Sequence, residues 1–257
     1  MNSMDEVGGN SVHSRRVAFF GGSFDPPHLG HLAVARAARD AFKLDTVLFA
    51  PVGAQPLKMT LKMNGPTASF EDRVELTRLA IAGEPGFAVS LADAPKPSGE
   101  PNYTIDTLLG LRAELSADAA LFCLMGADSF FSLRQWHRSA EIPFVAPLIV
   151  ASRPPDRTVL RPPSFTADLK SAIPASLTIE PVPGSDEFTA GIEVRTYLVC
   201  NSQGGQAQLY LLPGLDIEIS ASDIREQVRA SLGGLVLGDS VLPDAVFQAI
   251  KARELYR

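Results

Sequence analysis

The chain has 257 residues, of which 46% are hydrophobic and 20% are charged, so it can bury a sizeable core as one or two globular domains. Its net charge of −6 at pH 7 argues against a broad nucleic-acid-binding face, because binding to a phosphate backbone requires basic surface. No window reaches the roughly 18 consecutive apolar residues that a spanning helix needs, which predicts a protein that does not cross a membrane.

Residues 1–15 are polar and lack the apolar segment of a secretory signal, which predicts a flexible tail. The two cysteines, Cys123 and Cys200, each lie in an apolar, strand-like run and not at the spacing of metal ligands. Buried, reduced thiols indicate a cytoplasmic protein. The sequence leaves open whether the chain is a monomer or a homo-oligomer.

The N-terminal half predicts alternating strands and helices. An apolar strand at 17–20, a helix at 29–42 and a second strand at 46–50 form a βαβ unit with parallel strands and a right-handed crossover. Ser69 with Asp72 three residues later is typical of a capping box at a helix start. The next predicted elements are that helix to about 82, a strand at 87–91, a helix from Thr104 to about 115, and buried strands at 120–125 and about 145–151.

The C-terminal half predicts a loop, a hairpin and two helices. The proline-rich stretch 153–163 is typical of a surface loop. The predicted strands are 177–182, 193–199 and 208–212, with a turn at 201–205, and the predicted helices are about 221–232 and 243–255. The whole pattern predicts an α/β fold, a Rossmann-like open and mostly parallel sheet with helices on both faces.

Residues 21–31, between the first strand and the first helix, are the most informative stretch. Open α/β sheets bind ligands at the carboxyl ends of their strands. Gly21 and Gly22 let a phosphate approach the backbone, and the following helix offers free N–H groups and a positive dipole end. His28 and His31 are three residues apart, so they can face the same ligand. The stretch is neither a dinucleotide fingerprint nor a P-loop, but it predicts an anion site.

The GGxFDP and HxGH elements of this stretch resemble the nucleotidylyltransferase superfamily, and more narrowly the bacterial nicotinate-nucleotide adenylyltransferases. Further matching segments, in family order, are the loop 51–58, the YTxxTL element at 103–108, the GxDS element at 126–129, the tryptophan segment at 136–137, the segment 152–154, the ISxxxIR element at 219–225 and the C-terminal stretch 242–257. Leu57 stands where the family usually has histidine, so the resemblance does not supply a second cation there.

The resemblance implies one nucleotidyltransferase domain over 16–257, with a probable hairpin insertion at about 184–208. It implies that the catalytic residues are His28, His31, Lys58 and Arg225. It implies ATP contacts for Gly21, Gly22, Ser23, Phe24, Gly30, Gly126, Asp128, Ser129, Ile219 and Ser220. It implies mononucleotide contacts for Tyr103, Thr104, Trp136, which would stack on the nicotinate ring, and Arg153. The protein itself supplies no metal ligand, and Mg²⁺ accompanies ATP.

Such residues suit phosphoryl transfer. A substrate phosphate is already largely ionised at neutral pH and needs no general base, so the enzyme's task is positioning and charge stabilisation. The implied reaction transfers AMP from ATP to nicotinate mononucleotide, giving deamido-NAD and pyrophosphate in NAD biosynthesis. The partners are these two small molecules, with no nucleic acid and no membrane.

Alternatives remain open for the activity. One is an enzyme that uses nicotinamide mononucleotide or both mononucleotides, and another is a catalytically silent nucleotide-binding protein. Pantetheine-phosphate adenylyltransferases lack the tryptophan and YTxxTL segments, and an aminoacyl-tRNA synthetase would need tRNA-binding modules that the sequence does not show.

Structural roles also remain open for several of these residues. Ser23 can cap the backbone of its turn, and Trp136 can pack in the core. Lys58 can be a solvated loop charge, and Arg225 can be a surface residue behind a serine cap. Thr104 can simply cap its own helix.

Overall fold

The computed structural model describes residues 14–55, 67–151, 169–215, 219–230 and 241–257. The described strands are β1 (Arg16–Gly22), β2 (Thr46–Pro51), β3 (Phe87–Val89), β4 (Ala120–Gly126), β5 (Leu148–Ala151), β6 (Leu177–Pro181), β7 (Glu187–Thr189), β8 (Ile192–Asn201) and β9 (Gln206–Leu212). The described α-helices with firm bounds are α1 (Leu29–Phe42), α2 (Phe70–Ala80), α3 (Thr104–Glu114), α4 (Ala127–Phe131), α5 (Ile142–Val145), α6 (Ala221–Ala230) and α7 (Asp244–Ala252).

The strands form a sheet in the order β3-β2-β1-β4-β5-β9-β8-β6, with β7 paired to β8. Every pair from β3 to β9 is parallel, whereas β8 runs antiparallel to β6, β7 and β9. The strand order reverses at β1, which has β2 on one side and β4 on the other. This Rossmann-like arrangement confirms the predicted α/β fold with a mostly parallel sheet.

Helices cover both faces of the sheet. Because successive strand side chains point to opposite faces, Phe19 of β1 packs in one core cluster with Ile105 of α3. Its neighbour Phe20 packs in the other cluster, with Leu32 of α1 and Leu76 of α2. The side chains of β1 are therefore buried on both faces, as expected for a central parallel strand.

Local sequence signals set the helix ends. The helix α1 has the predicted bounds and ends where Lys43 adopts a left-handed conformation with φ of 48°. At the start of α2, the Ser69 hydroxyl accepts the backbone N–H of Asp72 at 3.0 Å, which confirms the predicted cap. The N–H of Leu29, at the start of α1, donates to the Val241 carbonyl at 3.0 Å, so the C-terminal part of the chain packs against this end of α1.

Several elements differ from the predictions. The strand predicted from about 145 begins only at Leu148, because residues before it form α5, with Pro143 in the first turn where a helix tolerates proline. Thr104 was expected to cap α3, but Tyr103 occupies the N-cap position without a side-chain cap, and Thr104 is the first helical residue. The GxDS element at 126–129 spans the end of β4 and the start of α4, which follows it directly.

The predicted hairpin joins β8 to β9. Its turn is held by the Asn201 side chain, which accepts the N–H groups of Gln203 at 3.0 Å and Gly205 at 2.8 Å. The short strand β7 was not predicted. Residues 184–208 thus include β7, β8 and the start of β9; their status as an insertion, and the single domain over 16–257, stay predictions.

Some predictions concern residues that lie outside the described part of the chain. These are most of the tail at 1–15, the loop 153–163, and the last two residues of the helix predicted at 221–232. None of the described helices is long and apolar enough to cross a membrane.

Candidate active site

The site lies where the strand order reverses, between β1 and β4. In open α/β sheets this switch point leaves a crevice at the carboxyl ends of the strands. The strand β1 ends at Gly22 and β4 ends at Gly126, so the fold brings the two glycine-containing segments of the sequence to the same edge. Asp128 and Ser129 follow in the first turn of α4, where Asp128 is exposed. The structure therefore gathers two of the predicted ATP-binding segments.

Residues 21–25, from the end of β1 into the following loop, are tightly packed and are called the glycine turn below. A Cβ added to Gly21 would lie 2.7 Å from the Phe19 ring, and one added to Gly22 would lie 3.2 Å from the Phe24 ring. Phe24 itself has a positive φ of 46° and is 1% exposed. The Ser23 hydroxyl donates to the Gln55 side chain at 3.1 Å. A side chain at Gly21 would therefore displace the Phe19 ring, and one at Gly22 would be tight against Phe24. Ser23 already links the turn to the loop after β2.

His28 and His31 stack at the start of α1, with 3.7 Å between ring centroids. The Nδ1 atom of His31 accepts the backbone N–H of His28 at 3.2 Å. Burial, and next the neighbouring His28, lower the pKa of His31 well below 6.5, so its imidazole is neutral at pH 7. Because Nδ1 is the acceptor, the single proton lies on Nε2. His31 thus offers a neutral N–H donor.

Arg225 is brought to the glycine turn from the far end of the sequence. Its Nη1 donates to the Asp25 carbonyl at 2.6 Å and lies 3.8 Å from the Asp25 carboxylate. Its Nη2 donates to the Ser222 hydroxyl at 3.1 Å. The Ser220 hydroxyl accepts the Ser222 N–H at 3.2 Å, which stabilises the start of α6. These contacts attach Arg225 to the glycine turn and to the start of α6, so Arg225 is more than a surface residue.

Asp25 was not predicted as a functional residue, although it lies within the GGxFDP element. It is 3% exposed, and its carboxylate accepts the N–H groups of Thr67 at 2.6 Å and Ala68 at 3.1 Å. These two residues follow the undescribed segment 56–66, which contains Lys58. The sequence signal that could have identified Asp25 was its position as a charged residue inside an apolar turn. Lys58 and Arg153, two of the predicted site residues, lie outside the described part of the chain.

Arg73 was also missed. It is 2% exposed, and its guanidinium donates to the Ser23 carbonyl at 2.7 Å and to the Val52 carbonyl at 2.8 Å. The signal was present in the sequence, because Arg73 shares the inner stripe of α2 with Leu76 and Ala80. A cation on the apolar stripe of a helix requires buried partners.

The C-terminal Tyr256 belongs to the same buried region. It is 4% exposed. Burial, and next the negative charge of Asp25, raise the pKa of its hydroxyl far above 10. Tyr256 is thus packed beneath the glycine turn, a contact that local sequence patterns did not predict.

Three of the four predicted mononucleotide residues, Tyr103, Thr104 and Trp136, lie at or near the start of α3. The rings of Tyr103 and His137 lie 4.2 Å apart between centroids. The Trp136 indole N–H donates to the Ser132 hydroxyl at 3.0 Å. Tyr103, Thr104 and Trp136 are each half-buried, and Trp136 also packs against the hydrophobic core. The start of α3 carries no side-chain cap, although Asp106 lies in its first turn.

Asn102 connects the loop after β2 with the start of α3. Its side-chain carbonyl accepts the Ala54 N–H at 2.9 Å, and its side-chain amide donates to the Ala94 carbonyl at 2.8 Å. Gly53 is pressed against this contact, since an added Cβ would lie 2.4 Å from the Pro95 backbone nitrogen. The loop after β2 and the segment before α3, at the two ends of the site, are therefore in close backbone contact.

Within the described residues, no group of three or more His, Cys, Asp and Glu side chains is placed to hold a metal ion. Among the described residues, Arg225 places a guanidinium group at the glycine turn, and Arg73 lies buried beneath it. The arrangement can bind anions at the glycine turn and orient them, which is the requirement for phosphoryl transfer.

Comparisons with known proteins agree with this geometry. A family model described as cytidylyltransferase-like matches residues 19–227. The probable nicotinate-nucleotide adenylyltransferase of Gloeobacter violaceus is 36% identical over 94% of this chain and 96% of its own. The one from Citrifermentans bemidjiense is 34% identical over 94% and 98%.

A solved structure of the Plasmodium falciparum nicotinic acid mononucleotide adenylyltransferase, complexed with APC, superposes with a TM-score of 0.61. It covers 94% of this chain and 97% of that one at 14% identity, which is a likeness of fold. The match to the family model and the two bacterial relatives show that the chain belongs to the nicotinate-nucleotide adenylyltransferases, within the cytidylyltransferase-like family.

Proposed function

We propose that the protein transfers the AMP group of ATP to nicotinate mononucleotide, giving deamido-NAD and pyrophosphate, a step of NAD biosynthesis. A phosphate oxygen of the mononucleotide attacks the α-phosphorus of ATP, and the bond from that phosphorus to the bridging oxygen of pyrophosphate breaks. The observation that carries the proposal is the anion site at the switch point, where Gly22, His31 and Arg225 meet around one turn.

The phosphate-binding residues have distinct proposed roles. His28 and His31 lie at the N-terminal end of α1, where the helix dipole favours anions, and the neutral His31 donates from Nε2. Arg225 supplies positive charge, and Lys58 supplies more from its loop. Gly126, with Asp128 and Ser129, contacts the nucleoside part of ATP. The remaining proposed ATP contacts are Gly21, Ser23, Phe24, Gly30, Ile219 and Ser220.

Mg²⁺ enters with ATP as its triphosphate complex and is part of the substrate. It neutralises charge on the leaving pyrophosphate.

The mononucleotide is proposed to bind at the start of α3. The uncapped N-terminal end of this helix favours the nicotinate carboxylate, while Tyr103, Thr104 and Trp136 surround the ring. Arg153 is proposed to contact the same substrate. A cytoplasmic location is proposed as well, supported by Cys123 and Cys200, which form no disulfide.

The test is to incubate the purified protein with ATP, Mg²⁺ and nicotinate mononucleotide and to identify the products by mass spectrometry. We expect deamido-NAD and an equal amount of pyrophosphate. A protein that binds ATP but forms neither product would support the silent nucleotide-binding alternative and overturn the proposal.

A further inference from the structure

Arg73 is the largest side chain among those fully buried in the described part of the chain. Its two terminal nitrogens donate to backbone carbonyls at 2.7 and 2.8 Å, and its guanidinium carbon lies 5.6 Å from the centre of the Phe70 ring. At 2% exposure, this cation cannot act as a solvated surface charge.

The two carbonyls belong to different ligand-binding segments. One is that of Ser23, in the glycine turn, and the other is that of Val52, the first residue of the loop after β2. The two segments also meet directly, because the Val52 N–H donates to the Gly22 carbonyl at 2.9 Å. Arg73, from α2, therefore holds both loops from beneath.

A guanidinium is a costly choice for this position. Burial lowers the pKa of Arg73, while Asp25 and then Tyr256 act against that shift. Among the described residues, its Nε has no hydrogen-bond partner. An apolar side chain of similar volume would fill the space without desolvating a charge. Filling the core of α2 therefore does not explain why the residue is arginine.

We propose that Arg73 is a positioning residue, whose planar guanidinium fixes the spacing between the glycine turn and the loop after β2 so that both reach the triphosphate of ATP. This inference rests on the proposed function. Arg73 contacts no substrate atom. It acts through the carbonyls of Ser23 and Val52, and errors of about 1 Å in such positioning can reduce turnover about a hundredfold.

The test compares Arg73→Lys with Thr77→Val. Lysine keeps the charge, but its compact ammonium lacks the planar fork that spans two carbonyls. Thr77 lies one turn further along α2, is fully buried, and its hydroxyl donates to the Arg73 carbonyl at 2.7 Å. Its replacement removes a buried hydrogen bond from the same helix but contacts neither loop.

At a temperature well below both unfolding midpoints, we expect Arg73→Lys to lose about tenfold to a hundredfold in kcat/KM for ATP. The KM for the mononucleotide should change less, since the start of α3 is not held by Arg73. Thr77→Val should lower Tm and leave both constants within about twofold of the wild-type values, because its effect is confined to stability. Should Arg73→Lys fail to fold, Arg73→Gln, which keeps an amide donor, serves in its place.

Wild-type kinetics in the Arg73 variant, or an equal loss in Thr77→Val, would overturn the inference. Binding of a non-hydrolysable ATP analogue by calorimetry separates this failure from failure of the proposed function. If the wild-type protein does not adenylate nicotinate mononucleotide, weaker analogue binding in Arg73→Lys than in Thr77→Val still supports a positioning role, and equal binding rejects it.

Discussion

His31 is proposed to donate a hydrogen bond to a substrate phosphate, and its surroundings suit it to that role. Burial and the neighbouring His28 keep its imidazole neutral. Because Nδ1 accepts a hydrogen bond from the His28 N–H, the proton lies on Nε2. A neutral N–H donor at a helix start can hydrogen-bond to the negative charge that develops on a phosphate. Because the imidazole carries no charge, it needs no counter-ion of its own. Positive charge in the described part of the site comes instead from Arg225, which the fold holds against Asp25.

His31→Ala should therefore lower kcat more than it raises KM. A donor that acts on charge developing in the transition state contributes little to ground-state binding, and loss of one such donor typically costs about 10²–10³ in rate. His28→Ala should change kcat in the same direction by a smaller factor. Steady-state kinetics of both variants checks this, and turnover near that of the wild type in both would contradict the phosphate-site assignment.

The lowered pKa of His31 also predicts how stability depends on pH. Above pH 6.5 the imidazole is neutral in the folded and unfolded states, so it contributes no slope. Below 6.5, its ordinary value, the unfolded chain takes up a proton that folded His31 does not, so stability falls as pH falls toward the folded pKa.

Thermal unfolding between pH 7 and 5 measures this effect. In His31→Asn, whose side-chain oxygen can still accept the His28 N–H, the fall of Tm below about pH 6.5 should be shallower than in the wild type. The other titrating groups are common to both proteins. Parallel curves would show that His31 titrates alike in the folded and unfolded states.

Among the elements, α3 and the segment after α4 form the proposed mononucleotide end. Trp136→Ala should raise the KM of the mononucleotide and leave that of ATP nearly unchanged, because the ring is proposed to stack on the nicotinate and not on ATP. Thr104→Ala should change both Michaelis constants only slightly, since Thr104 does not cap the helix. Equal changes in both Michaelis constants for Trp136→Ala would indicate a packing role, consistent with its contact to the core.

The contact between the loop after β2 and the segment before α3 predicts a stability effect. In Gly53→Ala the new Cβ would lie 2.4 Å from the Pro95 nitrogen and 2.8 Å from the Asn102 side-chain oxygen, and such overpacking costs about 1–3 kcal/mol. Gly110→Ala is the matched control, because its Cβ would meet nothing within 4 Å and alanine favours a helix interior by up to about 1 kcal/mol. Denaturant unfolding should give shifts of opposite sign; a neutral Gly53→Ala would mean that the loop moves aside easily.

At the scale of the whole molecule, local sequence patterns predicted the helices, strands and turns well. The βαβ units, the bounds of α1, the cap at Ser69 and the hairpin turn at Asn201 follow from periodicity and turn chemistry within a few residues. The strand before Leu148 was predicted too long because an apolar run does not distinguish a buried strand from a short buried helix. Local sequence could not decide that difference, which depends on packing.

The candidate site was predictable in its motifs but not in their connections. The glycine turn and the histidine pair follow from one continuous stretch. The bond from Arg225 to the Asp25 carbonyl joins residues 200 positions apart, and the burial of Arg73 and Tyr256 beneath the turn depends on tertiary packing. Such long-range contacts arise only from the assembled sheet, with α2, α6 and α7 packed on the same face.

The most direct test of the central claim compares two substrates. With saturating ATP and Mg²⁺, pyrophosphate release is measured with nicotinate mononucleotide and, separately, with nicotinamide mononucleotide. Charge-assisted hydrogen bonds from the start of α3 to the carboxylate, each worth about 1.5–3 kcal/mol, should favour nicotinate by at least about tenfold to a hundredfold in kcat/KM. Values within about a factor of three would contradict acid specificity, and no pyrophosphate from either substrate would contradict adenylyl transfer itself.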